Sequence, residues 1–195
     1  MIASEPAVTG MQARRPAPWG ETRLSRLAAV MCCVVAIGGA LSEIALAWVW
    51  LSPSWITKYV APHAGVDPAL VHVDWTVQAA GFAVSMVPLG VLLYALHQAY
   101  GLFDSYRRGE LFPDSAPRRL RRIGLAMLAL AVLRPISAAA LSAVLTFANP
   151  PGQKLLVIGF SVEDYMIAVF GGLLMAIGHV MTEARRLADD NSQIV

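Results

Sequence analysis

Glu43 and Arg134 are the residues of this chain whose type and setting most invite chemistry. Each stands alone in an apolar run: "GGALSEIALAW" surrounds the acid and "LAVLRPISAAA" the base. A charge at membrane depth costs several kcal/mol unless it is paired. A paired acid and base there can line a substrate or ion pathway, act as a switch, or simply fix helix register. At about 1.5 Å per residue, Arg134 lies about 16 Å and Glu43 about 24 Å from the same edge of their runs. An extended arginine and helix tilt can close that gap. Three and four residues from Glu43 stand Gly39, Ala40 and Ala47; around Arg134 stand Ala131, Ser137 and Ala138. Small residues mark close helix approaches, so the expected arrangement is a Glu43–Arg134 ion pair inside the bundle. Pro135 lacks an N–H, which frees the carbonyl of Ala131 and predicts a kink.

The other candidates carry less. His97 and His179 lie near the same ends of their runs and could ligate a haem if they faced each other; two interfacial histidines are the plainer account. His63, Asp67, His72 and Asp74 share one loop, but their spacing matches no strong metal template. Cys32 and Cys33 are adjacent inside an apolar run, so neither a disulfide nor a C-x-x-C redox site is expected. No metal ligand set and no cofactor is expected. Phosphate-cradling glycine loops, H-E-x-x-H and nucleophile-elbow motifs do not occur, and no catalytic residue is assigned. Glu163 and Asp164 suit the positive end of a helix, and Ser161 three residues before Asp164 forms a capping pattern.

The elements that must position these residues are membrane spans. Hydrophobic residues make up 57% of the 195 and charged ones 14%, against about 45–50% and about 25% in a soluble domain. Four runs reach the roughly 20 residues that a crossing needs: 27–51, 76–103, 123–147 and 160–181. The first is too long for a signal-peptide core and is expected to be retained. Pro88 with Gly90 should bend the second span. Ala168, Gly172 and Ala176 repeat every four residues on the fourth and predict a close helix contact, which a homo-oligomer would also use. Twelve arginines lie before span one, between spans two and three, and after span four; Lys58 and Lys154 lie on the other side. That asymmetry puts both termini in the cytoplasm. Trp48, Trp50, Trp55 and Trp75 cluster at the opposite interface. The loop 52–74 should be irregular with a short helix around 69–73, and "NPPG" at 149–152 is a turn. Residues 1–24 carry Pro6, Pro16 and Pro18 with little periodicity and are expected to be largely disordered. The membrane domain is then 25–195.

The loop "YRRGELFPDSAPRRLRRIG" at 106–124 resembles the signature of a bacterial four-span membrane family catalogued as domain of unknown function twenty-nine seventy-five. The matching positions are Tyr106, the basic pair, Gly109, Glu110, Leu111, Phe112, Leu120, Ile123 and Gly124; Pro113 and Pro117 stiffen the spacer. The tail "EARRLADDNSQIV" is similar to the family's ending. The resemblance implies a four-helix integral membrane protein without assigned enzymatic activity. It also implies, by analogy, control of a small cytoplasmic helix-turn-helix regulator. Leu111, Phe112, Ile194 and Val195 are apolar residues in charged cytoplasmic surroundings, and either dock a partner or tuck against the bundle. The arginine loop is explained by topology and anionic lipid, without direct nucleic-acid binding.

The expectation is therefore an all-α, up-and-down four-helix bundle in the bacterial inner membrane. Its expected role is non-enzymatic and sensory or regulatory. A small transporter or channel subunit with Glu43 and Arg134 in its pathway is the first alternative, and a haem-binding electron carrier the second.

Overall fold

A computed structural model describes residues 19–110, 113–150 and 153–192, and among these it contains helices and no strands. Four helices are long and apolar enough to cross a membrane: α1 (Trp19–Leu51), α2 (Trp75–Arg107), α3 (Ala116–Leu145) and α4 (Val162–Ser192). The expected disorder of residues 1–24 falls outside the described residues up to 18, and from Trp19 onward the chain is helical. The helix α3 starts seven residues before the apolar run because arginine is a good helix former and Pro117 occupies the first turn.

Local chemistry sets the helix ends. At Ser52 the backbone is extended before Pro53, which stops α1. Asp74 begins α2: its Oδ1 accepts the Val77 N–H at 3.0 Å and the Thr76 hydroxyl at 2.8 Å. The Val77 N–H, and then the Thr76 hydroxyl, hold its carboxyl below the ordinary aspartate range. A lowered value means the cap is at full strength above the unfolded value of about 3.9 and fades as pH falls through the folded one. Hydrogen exchange at the Val77 amide should therefore accelerate below that pH relative to mid-helix amides. Asp74→Asn, which keeps the acceptor, should abolish the dependence; an unchanged pH profile in that variant would refute the assignment.

The end of α2 explains the "YRRGE" spacing. Gly109 sits at φ +84°. The Glu110 N–H donates to the Ser105 carbonyl at 3.1 Å and the Gly109 N–H to the Tyr106 carbonyl at 3.1 Å. This is a Schellman closure, and its left-handed position favours glycine. No side chain crowds Gly109, so Gly109→Ala tests the backbone alone. It should cost about 1–2 kcal/mol, read as a shift of the unfolding midpoint in mixed SDS micelles.

Each long helix packs on its neighbour in the chain: α1 on α2, α2 on α3, α3 on α4. Cys32, Gly39 and Trp50 of α1 meet Tyr100, Leu93 and Gly81 of α2, so the two run in opposite directions. Gly178, Gly171 and Glu163 of α4 meet Arg121, Gly124 and Arg134 of α3, again in opposite directions. No substantial α1–α4 contact closes the row among the described residues.

The loop 52–74 is more ordered than expected. Residues 53–63 are helical, and a 3-10 turn spans Pro68–Leu70. Ile56, Ala61, Ala64 and Val66 are buried with Trp50, Val77 and Leu145 in a cluster at one end of the row. Trp50 is thus a core residue rather than an interfacial one. Its ring covers the Gly81 backbone, and its N–H donates to Ser85 Oγ at 3.1 Å. Trp48, Trp55 and Trp75 are exposed.

Candidate functional site

Between "NPPG" and α4 the chain does not stay at the end of the row. The Leu155 N–H donates to Thr146 Oγ1 at 3.0 Å and the Val157 N–H to Ser142 Oγ at 3.0 Å. Two extended residues advance about 6.6 Å, and the four helical residues they match advance about 6 Å. The segment therefore runs back alongside α3. At that pitch it reaches the height of Arg134 as α4 begins.

There the fourth helix starts with a reciprocal capping box. Asp164 Oδ2 accepts the Ser161 N–H at 2.9 Å and hydroxyl at 2.8 Å, and Ser161 Oγ accepts the Asp164 N–H at 3.2 Å. This bears out the S-x-x-D reading and adds a second role. Asp164 Oδ1 has no hydrogen bond and faces Arg134 Nη1 at 3.4 Å. Arg134 Nη2 donates to Glu163 Oε2 at 2.9 Å. The Asp164 side chain is 8% exposed, that of Glu163 75% and that of Arg134 39%. One guanidinium therefore bridges two carboxylates, one sunk in the protein and one at its surface.

The Glu43–Arg134 pair is corrected by this geometry. Arg134 is bonded to α4, and Glu43 is exposed on α1 with no ion-pair partner among the described residues. The buried stripe of α1 runs through Ala28, Cys32, Gly39 and Trp50, and Glu43 lies beside it. The helix α1 packs on α2 rather than α3, and the acids that meet Arg134 come from α4. The same small offset corrects the packing stripe on α4. Nothing stands within 4 Å of a Cβ at Gly172, and Ala176 is exposed. The close contact is made by Gly171 and Gly178: a Cβ at Gly171 would lie 2.9 Å from the Gly124 carbonyl oxygen, and one at Gly178 2.8 Å from that of Pro117. Ala168 is half-buried.

A cavity of about 510 Å³ opens beside the charged group. Its walls come from all four long helices and the 52–74 loop, with Leu46, His63, Ser85, Pro88, Arg134 and Glu163 among them. Pro88 and Pro135, expected as kinks, both lie inside continuous helices and both line it. Each removes one helical N–H, which frees the carbonyls of Val84 and Ala131. His63, read as a weak metal candidate, is a wall residue; its Nδ1 lies 2.7 Å from the Tyr59 carbonyl, which only accepts. Among the described residues no three metal-ligating side chains gather. His97 and His179 are both exposed, on helices α2 and α4 that do not pack substantially on each other.

At the opposite end, Arg185 ties α4 to the chain before α3. Its Nη1 donates to Asp114 Oδ1 at 3.1 Å and its Nη2 to the Pro113 carbonyl at 2.8 Å. Of the motif residues, Gly109 closes α2, and Gly124 lies against the backbone of Gly171 and Met175. Tyr106 and Leu120 are half-buried and Glu110 is exposed. Leu111, Phe112, Ile194 and Val195 lie outside the described residues.

Sequence reasoning missed Glu163 and Asp164 as partners of Arg134. The helix-start signal in them was legible, but the depth of that start depends on the folded-back segment before it. Ser85 was missed as a wall residue, and nothing in its sequence neighbourhood marks it.

A family model described as "Protein of unknown function (DUF2975)" matches residues 24–195. No curated protein and no solved structure matches the chain.

Proposed function

We propose that this chain, which belongs to the DUF2975 family of unknown function, is a non-enzymatic sensory or regulatory protein of the bacterial inner membrane. Four apolar helices make it a multi-pass membrane protein. In the proposed topology it is up-and-down, with both termini and the arginine-rich loop in the cytoplasm, a placement supported by the twelve arginines at one set of helix ends. The cavity then lies toward the outer side. The observation that carries the reading is the pairing of two ends on one helix. At its start α4 holds Arg134 beside a cavity, and near its finish Arg185 holds the cytoplasmic chain at Asp114. An occupant that shifts the first end changes the position of the second. The proposed receiver is a small helix-turn-helix regulator, the partner that the family resemblance implies.

Affinity capture of the protein from its native membranes tests this. The expected result is a copurifying DNA-binding protein that is lost when Arg185 is changed to alanine. Recovery of the protein alone, from membranes shown to contain the regulator, would sink the proposal.

The charged group also supports a second reading, a small transporter. Flux in liposomes that depends on Arg134 is its expected sign, and tight vesicles with the protein correctly inserted would end it. The haem reading has no such support, since His97 and His179 are not brought together.

A further inference from the structure

We infer that the cavity at Arg134 binds an organic ammonium compound, a molecule with one protonated amine and a compact apolar body. The inference deepens the sensory reading by naming what the input site would take.

The walls set the first requirement. About 510 Å³ falls within the roughly 300–1,000 Å³ of small-molecule sites. Leu46, Val60, Pro88 and Leu141 supply apolar surface for a hydrocarbon body.

The charges set the second. Helices α1 and α2 bring no ionisable side chain to the cavity, the 52–74 loop brings His63, α3 brings Arg134, and α4 brings Glu163 and Asp164. Two carboxylates there face one guanidinium. The group carries a surplus of negative charge that the N-terminus of α4 offsets only in part.

The hydrogen-bonding groups set the third. Both Nη atoms of Arg134 are directed at carboxylates, Nη2 in a hydrogen bond to Glu163 Oε2 and Nη1 in an ion pair with Asp164, and the guanidinium keeps N–H donors to spare. The Ser85 hydroxyl donates to the Gly81 carbonyl. His63 Nδ1 carries its proton toward the Tyr59 carbonyl, so a neutral ring leaves Nε2 as an acceptor. Among the described residues Glu163 Oε1 accepts no hydrogen bond, and Asp164 Oδ1 meets only the Arg134 guanidinium at 3.4 Å. The guest that fits this site brings a single positive charge, with N–H donors for the carboxylates. An anion would add to the excess negative charge. A bare metal ion would find no cluster of three ligating side chains and would leave the apolar walls unused.

Two sources offer this chemistry, a free amine and the ethanolamine headgroup of a lipid. The test uses the full chain in nanodiscs of phosphatidylglycerol, titrated by calorimetry with hexylammonium, hexanoate and hexanol. Hexylammonium is expected to bind at least tenfold tighter than either isostere. Glu163→Gln should weaken it about tenfold without moving the ligand-free thermal midpoint, because Glu163 is exposed and Asp164 still holds Arg134. Glu43→Gln should leave binding unchanged. Equal binding of hexanol, tighter binding of hexanoate, or an unaffected Glu163→Gln variant overturns the proposal. Adding phosphatidylethanolamine to the discs separates the sources: competition identifies the lipid amine as occupant, and unchanged affinity identifies a free amine. Failed binding with an intact regulator capture removes the ligand and leaves the regulatory reading. Binding without captured regulator does the reverse.

Discussion

Replacing Arg134 by leucine should destabilise the protein by about 2–3 kcal/mol, at or just below the cost of breaking a buried ion pair, because Arg134 keeps 39% exposure. The damage comes from what is left behind. Asp164 stays sunk with an Oδ1 that no other group hydrogen-bonds, and the chain must protonate it or let water in. Leucine itself packs well beside Pro135 and Leu141. Adding Asp164→Asn to Arg134→Leu should therefore recover most of the loss, since asparagine keeps the Ser161 cap and carries no charge. Adding Glu43→Gln should recover none. Glu163→Gln alone should cost about 0.5 kcal/mol or less, as for exposed pairs in general. Unfolding midpoints in mixed SDS micelles measure all four variants. Rescue by Glu43→Gln in place of Asp164→Asn would mean that α1, not α4, carries the partner of Arg134.

Gly124→Leu should be about as damaging, at about 3 kcal/mol, near the upper end for overpacking. A Cβ at this position would lie 2.6 Å from the Gly171 carbonyl oxygen and 2.8 Å from the Met175 nitrogen. Both are backbone atoms, so no rotamer change relieves the clash and α4 itself must move. With α4 move the cap at Ser161 and the carboxylates on Arg134, so the same substitution should also abolish binding in the cavity. Gly172→Leu, one residue from the real contact, meets open space and should stay within about 0.5 kcal/mol. Equal losses in the two variants would show that α3 and α4 do not approach through Gly124 and Gly171.

The two misread stripes share one cause. By composition Glu43 with Gly39, Ala40 and Ala47 reads as an inner face, and so does Ala168 with Gly172 and Ala176. On α1 the buried stripe keeps Gly39 but runs through Cys32 and Trp50, past Ala40 and Glu43, and on α4 it lies one or two residues away, through Gly171 and Gly178. One residue turns a helix by about 100°. In a soluble helix the polar face would have corrected the error, but a helix that is apolar all round carries no such mark. Small residues occur on several faces of these helices, and only the neighbour decides which stripe it meets.

By itself the sequence determined what depends on local chemistry. Four spans follow from length and hydropathy, and the start of α4 from Ser161 with Asp164. These are properties of a few adjacent residues, so they survive any rearrangement of the whole. The partner of Arg134, the inner faces of α1 and α4, and the cavity were decided by tertiary structure alone. Each depends on how far the 153–161 segment runs back along α3, and on the rotation of each helix about its own axis. Both are set by backbone contacts such as Gly124 on Gly171, between residues that the chain holds almost fifty positions apart.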